Sequence, residues 1–264
     1  MNKPTFKKVL LGIVGISCVA VLCVYFFPVT VFSNEFQQEL FENVLRYFFC
    51  SIAAVCLLLY LDIKLFSKPE KVLALLPCLI IAVDNFPFIS YCNGNMELIR
   101  TAFTDVFLFA FYCVFVGLFE ECVFRGIVFS VFAERLPKNK KGFLITYFLS
   151  SALFGLAHLF NLFSGAGFFP TILQVGYTTL TGGLFAFALI KTKNVVCCGI
   201  LHGIYNFCGL ILSEHGLGSG IVFDTGTVVM MAIVSIGIGI YVLYSVFRYS
   251  EEERTILYEK LSIR

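Results

Sequence analysis

The sequence predicts an all-α fold, a polytopic transmembrane helical bundle. Hydrophobic residues make up 59% of the 264 residues and charged residues only 14%, with a mean hydropathy of +0.92. An ordinary soluble domain carries roughly 25% charged residues. Long apolar segments recur along the chain, and short connections between them carry most of the basic residues. A soluble core does not explain this much apolar sequence, whereas membrane-spanning helices do.

Eight segments have the length and apolarity of spans, because a transmembrane helix needs about 20 residues. They are residues 9–32, 44–66, 72–91, 101–132, 142–162, 169–190, 195–213 and 221–247. We therefore predict one transmembrane domain over residues 1–264. The first segment exceeds the roughly 7–15 residues of a signal-peptide core, so it is expected to remain as a span.

Basic clusters lie at alternate connections and give the orientation. They comprise Lys3, Lys7 and Lys8, then Lys64, Lys68 and Lys71, then Arg135, Lys138, Lys140 and Lys141, then Lys191 and Lys193, and finally Arg248, Arg254, Lys260 and Arg264. The positive-inside rule makes these ends cytoplasmic, which requires an even number of spans and places both termini in the cytoplasm. A net charge of +2 gives no indication of a nucleic-acid partner.

Most of the eleven cysteines fall inside apolar segments. A disulfide framework is typical of small secreted domains, and a structural zinc site usually needs a C-x-x-C pair, which is absent from this sequence. We expect the ten cysteines other than Cys92, which fall inside these segments, to be small, buried, free thiols.

Three polar groups of residues interrupt the apolar segments: Glu120-Glu121 with Arg125, His158, and His202 with Asn206. A charged side chain in the middle of a membrane helix costs at least about 2.5 kcal/mol, so such residues are candidates for function. Residues four apart share a helix face, which predicts an ion pair between Glu121 and Arg125.

Glu120 points about 100° away from Glu121 and has no partner at that spacing. The same spacing aligns His202 with Asn206. A glutamate in a low-dielectric site suits a general base, imidazoles can orient water, and an amide can stabilise an oxyanion. These parts favour hydrolysis of an acyl bond. On the predicted boundaries, however, His158 lies about 24 Å from its cytoplasmic end, against about 18 Å for Glu120 and about 11 Å for His202. A shared depth requires shifted boundaries or a tilted fifth span.

At these residues the chain resembles the CAAX-protease family of intramembrane glutamic endopeptidases, also called the ABI or CPBP family. Its three signatures, E-E-x-x-x-R, F-x-x-x-H and H-x-x-x-N, stand here at residues 120–125, 154–158 and 202–206, in the family's order. The resemblance covers residues 101–213, which would form a catalytic core within the domain. The other spans match only as membrane helices.

The resemblance implies a peptidase in which Glu120 activates water, His158 helps to hold that water, and His202 with Asn206 stabilises the oxyanion. Glu121 and Arg125 would be a structural pair. It implies no cofactor and no metal, although two histidines and two glutamates could form a zinc site on spacing alone. It also implies a multi-pass protein of the bacterial cell membrane, with a membrane-associated peptide or protein as substrate. Prenylated C-termini and pheromone or bacteriocin precursors are such substrates.

Two other classes of function use the same residues. A non-catalytic scaffold or bacteriocin-immunity protein could retain the motifs, and a proton-coupled transporter also places Glu and His within the membrane. Each histidine taken alone could be a polar contact between helices. A cellular phenotype preserved in Glu120→Gln, His158→Ala and His202→Ala would favour the scaffold, and flux driven by a proton gradient would favour the transporter.

Overall fold

The computed structural model describes residues 3–27, 29–213, 216–221 and 224–263. Within these ranges the chain forms α-helices joined by short connections and one pair of short strands. The α-helices are α1 (Lys3–Phe26), α2 (Glu35–Tyr60), α3 (Leu76–Asp84), α4 (Phe88–Cys92), α5 (Phe103–Glu121), α6 (Phe129–Arg135), α7 (Lys140–Ala157), α8 (Phe168–Thr192), α9 (Val195–Leu210), α10 (Thr225–Phe247) and α11 (Glu251–Leu261). The strands are β1 (Met96–Leu98) and β2 (Gly218–Gly220).

The predicted all-α polytopic bundle is confirmed. In the described ranges six helices have the length and apolarity to cross a membrane: Thr5–Phe26, Glu35–Tyr60, Phe103–Arg135, Lys140–Ser164, Phe168–Thr192 and Thr225–Phe247. The other two predicted spans contain the shorter apolar helices Val72–Asp84 and Val195–Leu210. The count of eight spans and the cytoplasmic location of both termini therefore stay predictions.

The predicted span 72–91 is interrupted in the structure. A 3₁₀ turn (Val72–Leu75) leads into α3, which ends at Asp84, and Pro87 precedes the short helix α4. Proline disfavours helical backbone at the preceding residue and lacks an N–H to donate, so the helix stops here. The antiparallel pair β1–β2 follows, joining the connection after α4 to the one after α9.

Helix α5 crosses α9 at a glycine-lined contact. A Cβ atom on Gly117 would lie 2.6 Å from the carbonyl oxygen of Gly199 and 2.7 Å from the backbone nitrogen of Gly203. Small residues at i and i+4 permit this kind of close approach between helices. The crossing brings the backbone of α9 against the last turn of α5, where Glu120 and Glu121 lie.

A π-helical segment, Cys122–Val128, joins α5 to α6. Its geometry is shown by the backbone N–H of Phe129, which donates to the carbonyl of Phe124 five residues earlier. That carbonyl also accepts a hydrogen bond from Ser150 Oγ of α7, at 3.2 Å. Single π-turns inside helices occur frequently at functional sites. Here the segment begins directly after Glu121 and contains Arg125.

The C-terminal helix α11 is attached to the end of the bundle that is predicted to be cytoplasmic. Glu70 accepts hydrogen bonds from Lys193, in the turn before α9, and from Lys260 of α11. The hydrogen bond from Lys193 is the main cause of the lowered pKa of Glu70. Burial alone would raise the pKa of Glu253, but hydrogen bonds from Lys71 and from the backbone of Ser250 outweigh it and lower the pKa to about 2.

Each of the eleven cysteines is a free thiol, and all of them lie in the described residues. The expectation that they are buried holds for Cys56, Cys78, Cys113, Cys122 and Cys198. It is wrong for Cys18 and Cys23, which are exposed. Cys18 and Cys23 are exposed because α1 lies at the periphery of the bundle, packed chiefly against α2.

Candidate active site

The two consecutive glutamates at the end of α5 lie in different environments. Glu121 is fully buried, whereas the side chain of Glu120 is 25% exposed. This difference follows from the helix, since consecutive side chains point about 100° apart. Glu121 faces α9 and the interior of the bundle, and Glu120 faces an open side. Of the two carboxylates, Glu120 is the one that an incoming molecule can reach.

Glu121 forms a buried ion pair with Arg125. Arg125 Nε lies 3.1 Å from Glu121 Oε2, and neither side chain is exposed. Arg125 also donates a hydrogen bond from Nη2 to the carbonyl oxygen of Gly182 at 2.6 Å, and its guanidinium lies 4.5 Å from the centroid of the Phe154 ring. An ion pair in a dry interior needs such additional contacts to offset the loss of hydration.

His202 links the two glutamates. Its Nδ1 atom lies 2.9 Å from Glu121 Oε1, and its Nε2 atom lies 3.6 Å from Glu120 Oε2. Because an ionised carboxylate only accepts hydrogen bonds, Nδ1 is the donor to Glu121. The distance to Glu120 exceeds a direct hydrogen bond and is one that a water molecule can bridge. The Phe185 ring stacks on the imidazole, with 4.5 Å between centroids.

His158 lies just after the end of α7 and begins a 3₁₀ segment, His158–Ser164. Its Nδ1 atom is 3.1 Å from the carbonyl oxygen of Phe154, so Nδ1 donates in this contact. The Phe154 ring contacts both histidines edge-on, at 5.3 Å from His158 and 5.7 Å from His202. Phe154 is therefore the side chain around which the two imidazoles are arranged.

Asn206 lies one turn beyond His202 on α9 and is half-buried. Within the described residues its side chain makes no hydrogen bond. Glu121 contacts both Arg125 and His202, His202 faces Glu120 at 3.6 Å, and Phe154 connects this group to His158. Helix α7 supplies 18 residues before His158, whereas His202 lies two turns into α9. Because both histidines contact Phe154, α7 and α9 must differ in tilt or begin at different depths.

Three features of the site were missed from the sequence. They are the hydrogen bond between His202 and Glu121, the ring of Phe185 stacked on His202, and the crossing of α5 and α9 at glycine. The spacing of Gly199 and Gly203 was a signal for the crossing. A phenylalanine in an apolar helix gives no such signal, because lipid-facing and core positions have the same composition.

The described residues contain no group of three or more His, Cys, Asp or Glu side chains arranged to hold a metal ion. Nδ1 of His202 is engaged by Glu121 and Nδ1 of His158 by a backbone carbonyl. Only the Nε2 atoms of the two rings remain for a further ligand. Independence from metal stays a prediction.

Residues 102–208 match the family described as type II CAAX prenyl endopeptidase Rce1-like. The chain is also 27% identical over 106 residues to CAAX prenyl protease 2 of Saccharomyces cerevisiae. Residues 102–208 are therefore similar to CAAX proteases, and we call them the CAAX-protease-type region. The resemblance deduced from the three motifs is thereby confirmed for this region. No solved structure matches the chain significantly.

The CAAX-protease-type region extends from the start of α5 to most of α9 and includes all six predicted site residues. Helices α1 to α4, α10 and α11 lie outside it. The aligned part makes up 36% of this chain and 34% of the yeast protein, so the chain spans about a third of the length of this relative. The similarity therefore concerns the region around the site.

Proposed function

We propose that this chain is an intramembrane endopeptidase that hydrolyses a peptide bond of a membrane-associated peptide or protein with a water molecule activated by Glu120. The observation that carries the proposal is the arrangement of the two carboxylates around His202. Glu121 is buried and paired with Arg125, while Glu120 is partly open and faces Nε2 of His202 at 3.6 Å. Glu121 therefore has the contacts of a structural residue, whereas Glu120 is accessible to water and substrate.

In the proposed reaction, Glu120 takes a proton from a water molecule as the oxygen of that water attacks the carbonyl carbon of the peptide bond. The negative charge moves to the carbonyl oxygen in the tetrahedral intermediate. Collapse of the intermediate breaks the C–N bond, and the proton held by Glu120 passes to the leaving nitrogen. One water is consumed, and a carboxylic acid and an amine are formed.

His158 is suited to holding the attacking water. Because Nδ1 donates to the carbonyl of Phe154, Nε2 of a neutral ring carries no proton and can accept a hydrogen bond from water. That contact would turn a lone pair of the water oxygen toward the substrate while Glu120 accepts its other proton. The hydrogen bond to the carbonyl of Phe154 and the contact with the Phe154 ring orient the imidazole.

His202 and Asn206 are proposed to stabilise the oxyanion. A protonated His202 would donate from Nδ1 to Glu121 and from Nε2 toward the developing charge. The cluster would then hold two negative carboxylates and two positive groups, Arg125 and His202, which is a neutral set. Asn206, which has no hydrogen-bond partner among the described residues, would have its amide available for the same oxygen.

The substrate class is inferred from chemistry and resemblance together. The yeast relative is named a CAAX prenyl protease, and a site among membrane helices is reached most readily by a peptide already associated with lipid. We propose a prenylated C-terminus or a pheromone or bacteriocin precursor as substrate, hydrolysis without metal, and a location in the bacterial cell membrane. We propose no nucleic-acid partner.

Quantitative membrane proteomics of cells carrying wild type or Glu120→Gln tests the proposal. A precursor should accumulate in the variant while the variant protein remains folded in the membrane. Glu134→Gln is the matched control, since Glu134 is a carboxylate near the end of α6, 3.7 Å from Lys138. Continued cleavage in Glu120→Gln would exclude it as the base.

The alternatives give different results in the same strains. A scaffold or immunity protein predicts an unchanged cellular phenotype in Glu120→Gln, His158→Ala and His202→Ala. A transporter predicts flux into liposomes that depends on a proton gradient and is lost in Glu120→Gln, without accumulation of any precursor.

A further inference from the structure

One exposed face of α7 borders an open space of about 730 Å³ outside the site described above, and we call this shallow face the groove. It begins at Lys140 and Lys141 and continues through Ile145 and Leu149 to Ala152. These positions recur every three to four residues and so lie on one side of the helix. Beyond the two lysines, the groove is lined by apolar side chains. At 1.5 Å per residue its length is about 18 Å.

Two lysines lie at one end of the groove. Lys140 and Lys141 are exposed, and among the described residues neither forms an ion pair. By contrast, Lys138, two residues before Lys140, forms an ion pair, because its Nζ lies 3.7 Å from a carboxylate oxygen of Glu134. The aliphatic stems of Lys140 and Lys141 line the groove, so their ammonium groups lie at its rim.

We propose that this groove is a binding site for an anionic phospholipid. The phosphate would lie on the ammonium groups of Lys140 and Lys141, and one acyl chain would lie along the face from Ile145 to Ala152. A zwitterionic lipid could cover the apolar part, but its phosphate charge is balanced by its own ammonium group, so the net charge of the two lysines would stay uncompensated. The charged end is at the side predicted to be cytoplasmic, where anionic lipids attract basic residues next to the membrane. This site is independent of the proposed peptidase activity.

The absence of tryptophan from the sequence makes a direct test possible. Leu149→Trp places a single fluorophore in the groove. The full-length protein is reconstituted in vesicles of phosphatidylcholine that contain increasing fractions of phosphatidylglycerol with brominated acyl chains, which quench tryptophan on contact. A parallel series with brominated phosphatidylcholine gives the binding constant of the anionic lipid relative to the neutral one.

Two matched controls separate the site from general attraction to the membrane. Ile236→Trp puts the fluorophore on α10 at a side chain that is 63% exposed, about 17 Å from the end of that helix, comparable with about 14 Å for Leu149. In the Leu149→Trp background, Lys140→Gln with Lys141→Gln removes the proposed headgroup contacts. Lys138→Gln removes one nearby positive charge and leaves the two lysines of the groove in place.

We expect the anionic lipid to be preferred roughly tenfold at Leu149→Trp, because each lysine near an anionic surface favours it severalfold. The preference should persist in Lys138→Gln, disappear in the double lysine variant, and be absent at Ile236→Trp. Equal quenching by both lipids at Leu149→Trp would overturn the proposal. So would a preference that survives loss of both lysines, or the absence of quenching by either lipid, which would mean that protein covers the groove.

Discussion

Nδ1 of His202 lies 2.9 Å from Oε1 of Glu121, and this contact joins the first and third sequence motifs. Glu121 thereby has two partners, Arg125 on its own helix and His202 on α9. The contact fixes which nitrogen of His202 carries a proton when the ring is neutral, and it directs Nε2 toward Glu120. A pair that the sequence indicates only as structural therefore also orients the imidazole.

Glu121→Gln should destabilise the protein by about 3 kcal/mol, because it leaves the guanidinium of Arg125 buried without a counter-ion. Thermal unfolding in detergent measures this effect. A Glu121→Leu, Arg125→Met double variant removes both charges and should recover most of the stability. The double variant should nevertheless lack peptide hydrolysis, since His202 then has no carboxylate to orient it. Recovery of both stability and activity would show that Glu121 acts only on folding.

Gly117→Ala should separate α5 from α9. The added Cβ would lie 2.6 Å from the carbonyl oxygen of Gly199, so one backbone must move. Overpacking of this kind typically costs about 1–3 kcal/mol. Gly237→Ala in α10 is the control, because a Cβ there meets nothing within 4 Å. That variant should be neutral or more stable by about 0.5–1 kcal/mol, and equal losses in the two variants would contradict the close crossing.

Phe154→Leu should disturb both histidines at once, because the ring contacts His158, His202 and Arg125. We expect a loss of about 1–3 kcal/mol in stability and a fall in peptide hydrolysis of at least about tenfold. Phe148→Leu is the matched change, since Phe148 lies on the same helix with 43% of its surface exposed. An equal effect of both substitutions on hydrolysis would argue against Phe154 as the organising ring.

Acid should detach the C-terminal helix. Carboxylates whose pKa is lowered in the folded protein stabilise it above their unfolded value, and this contribution is lost as pH falls toward the folded value. For Glu253 the window extends from about 4.3, the ordinary value of a glutamate, to about 2. The lowered pKa of Glu70 acts in the same direction. Hydrogen exchange of the amides in α11 should increase across this window, before exchange in α5 and α9 increases.

The same experiment on Glu253→Gln provides the control. This variant lacks the charge that Lys71 contacts, so α11 should already exchange faster at neutral pH, and its further change in acid should be smaller. Exchange in α11 that is unaffected by either acid or the substitution would show that apolar contacts alone, such as those of Leu257 and Leu261, hold the helix.

The sequence identified the residues of the site better than it identified their partners. Contacts within one helix follow from the helical period, which is why the spacing of Glu121 and Arg125 predicted their ion pair. The contact of Glu121 with His202 depends on how closely α5 and α9 cross and at what level. Hydropathy gives span boundaries only to within several residues, and the unequal depths deduced for His158 and His202 reflect that uncertainty.

Composition, apolar segments and three short motifs by themselves determined that this is a helical membrane protein with a CAAX-protease-type region. Those properties depend on the free energy of transferring side chains into lipid and on the spacing of nearby residues. Both follow directly from the order of residues in the sequence. Only the tertiary structure decided that the side chain of Glu120 is partly exposed while that of Glu121 is buried, and that Phe154 and Phe185 surround the imidazoles. The physical reason is that lipid is as apolar as a protein core, so an apolar helix does not show in its sequence which face meets another helix.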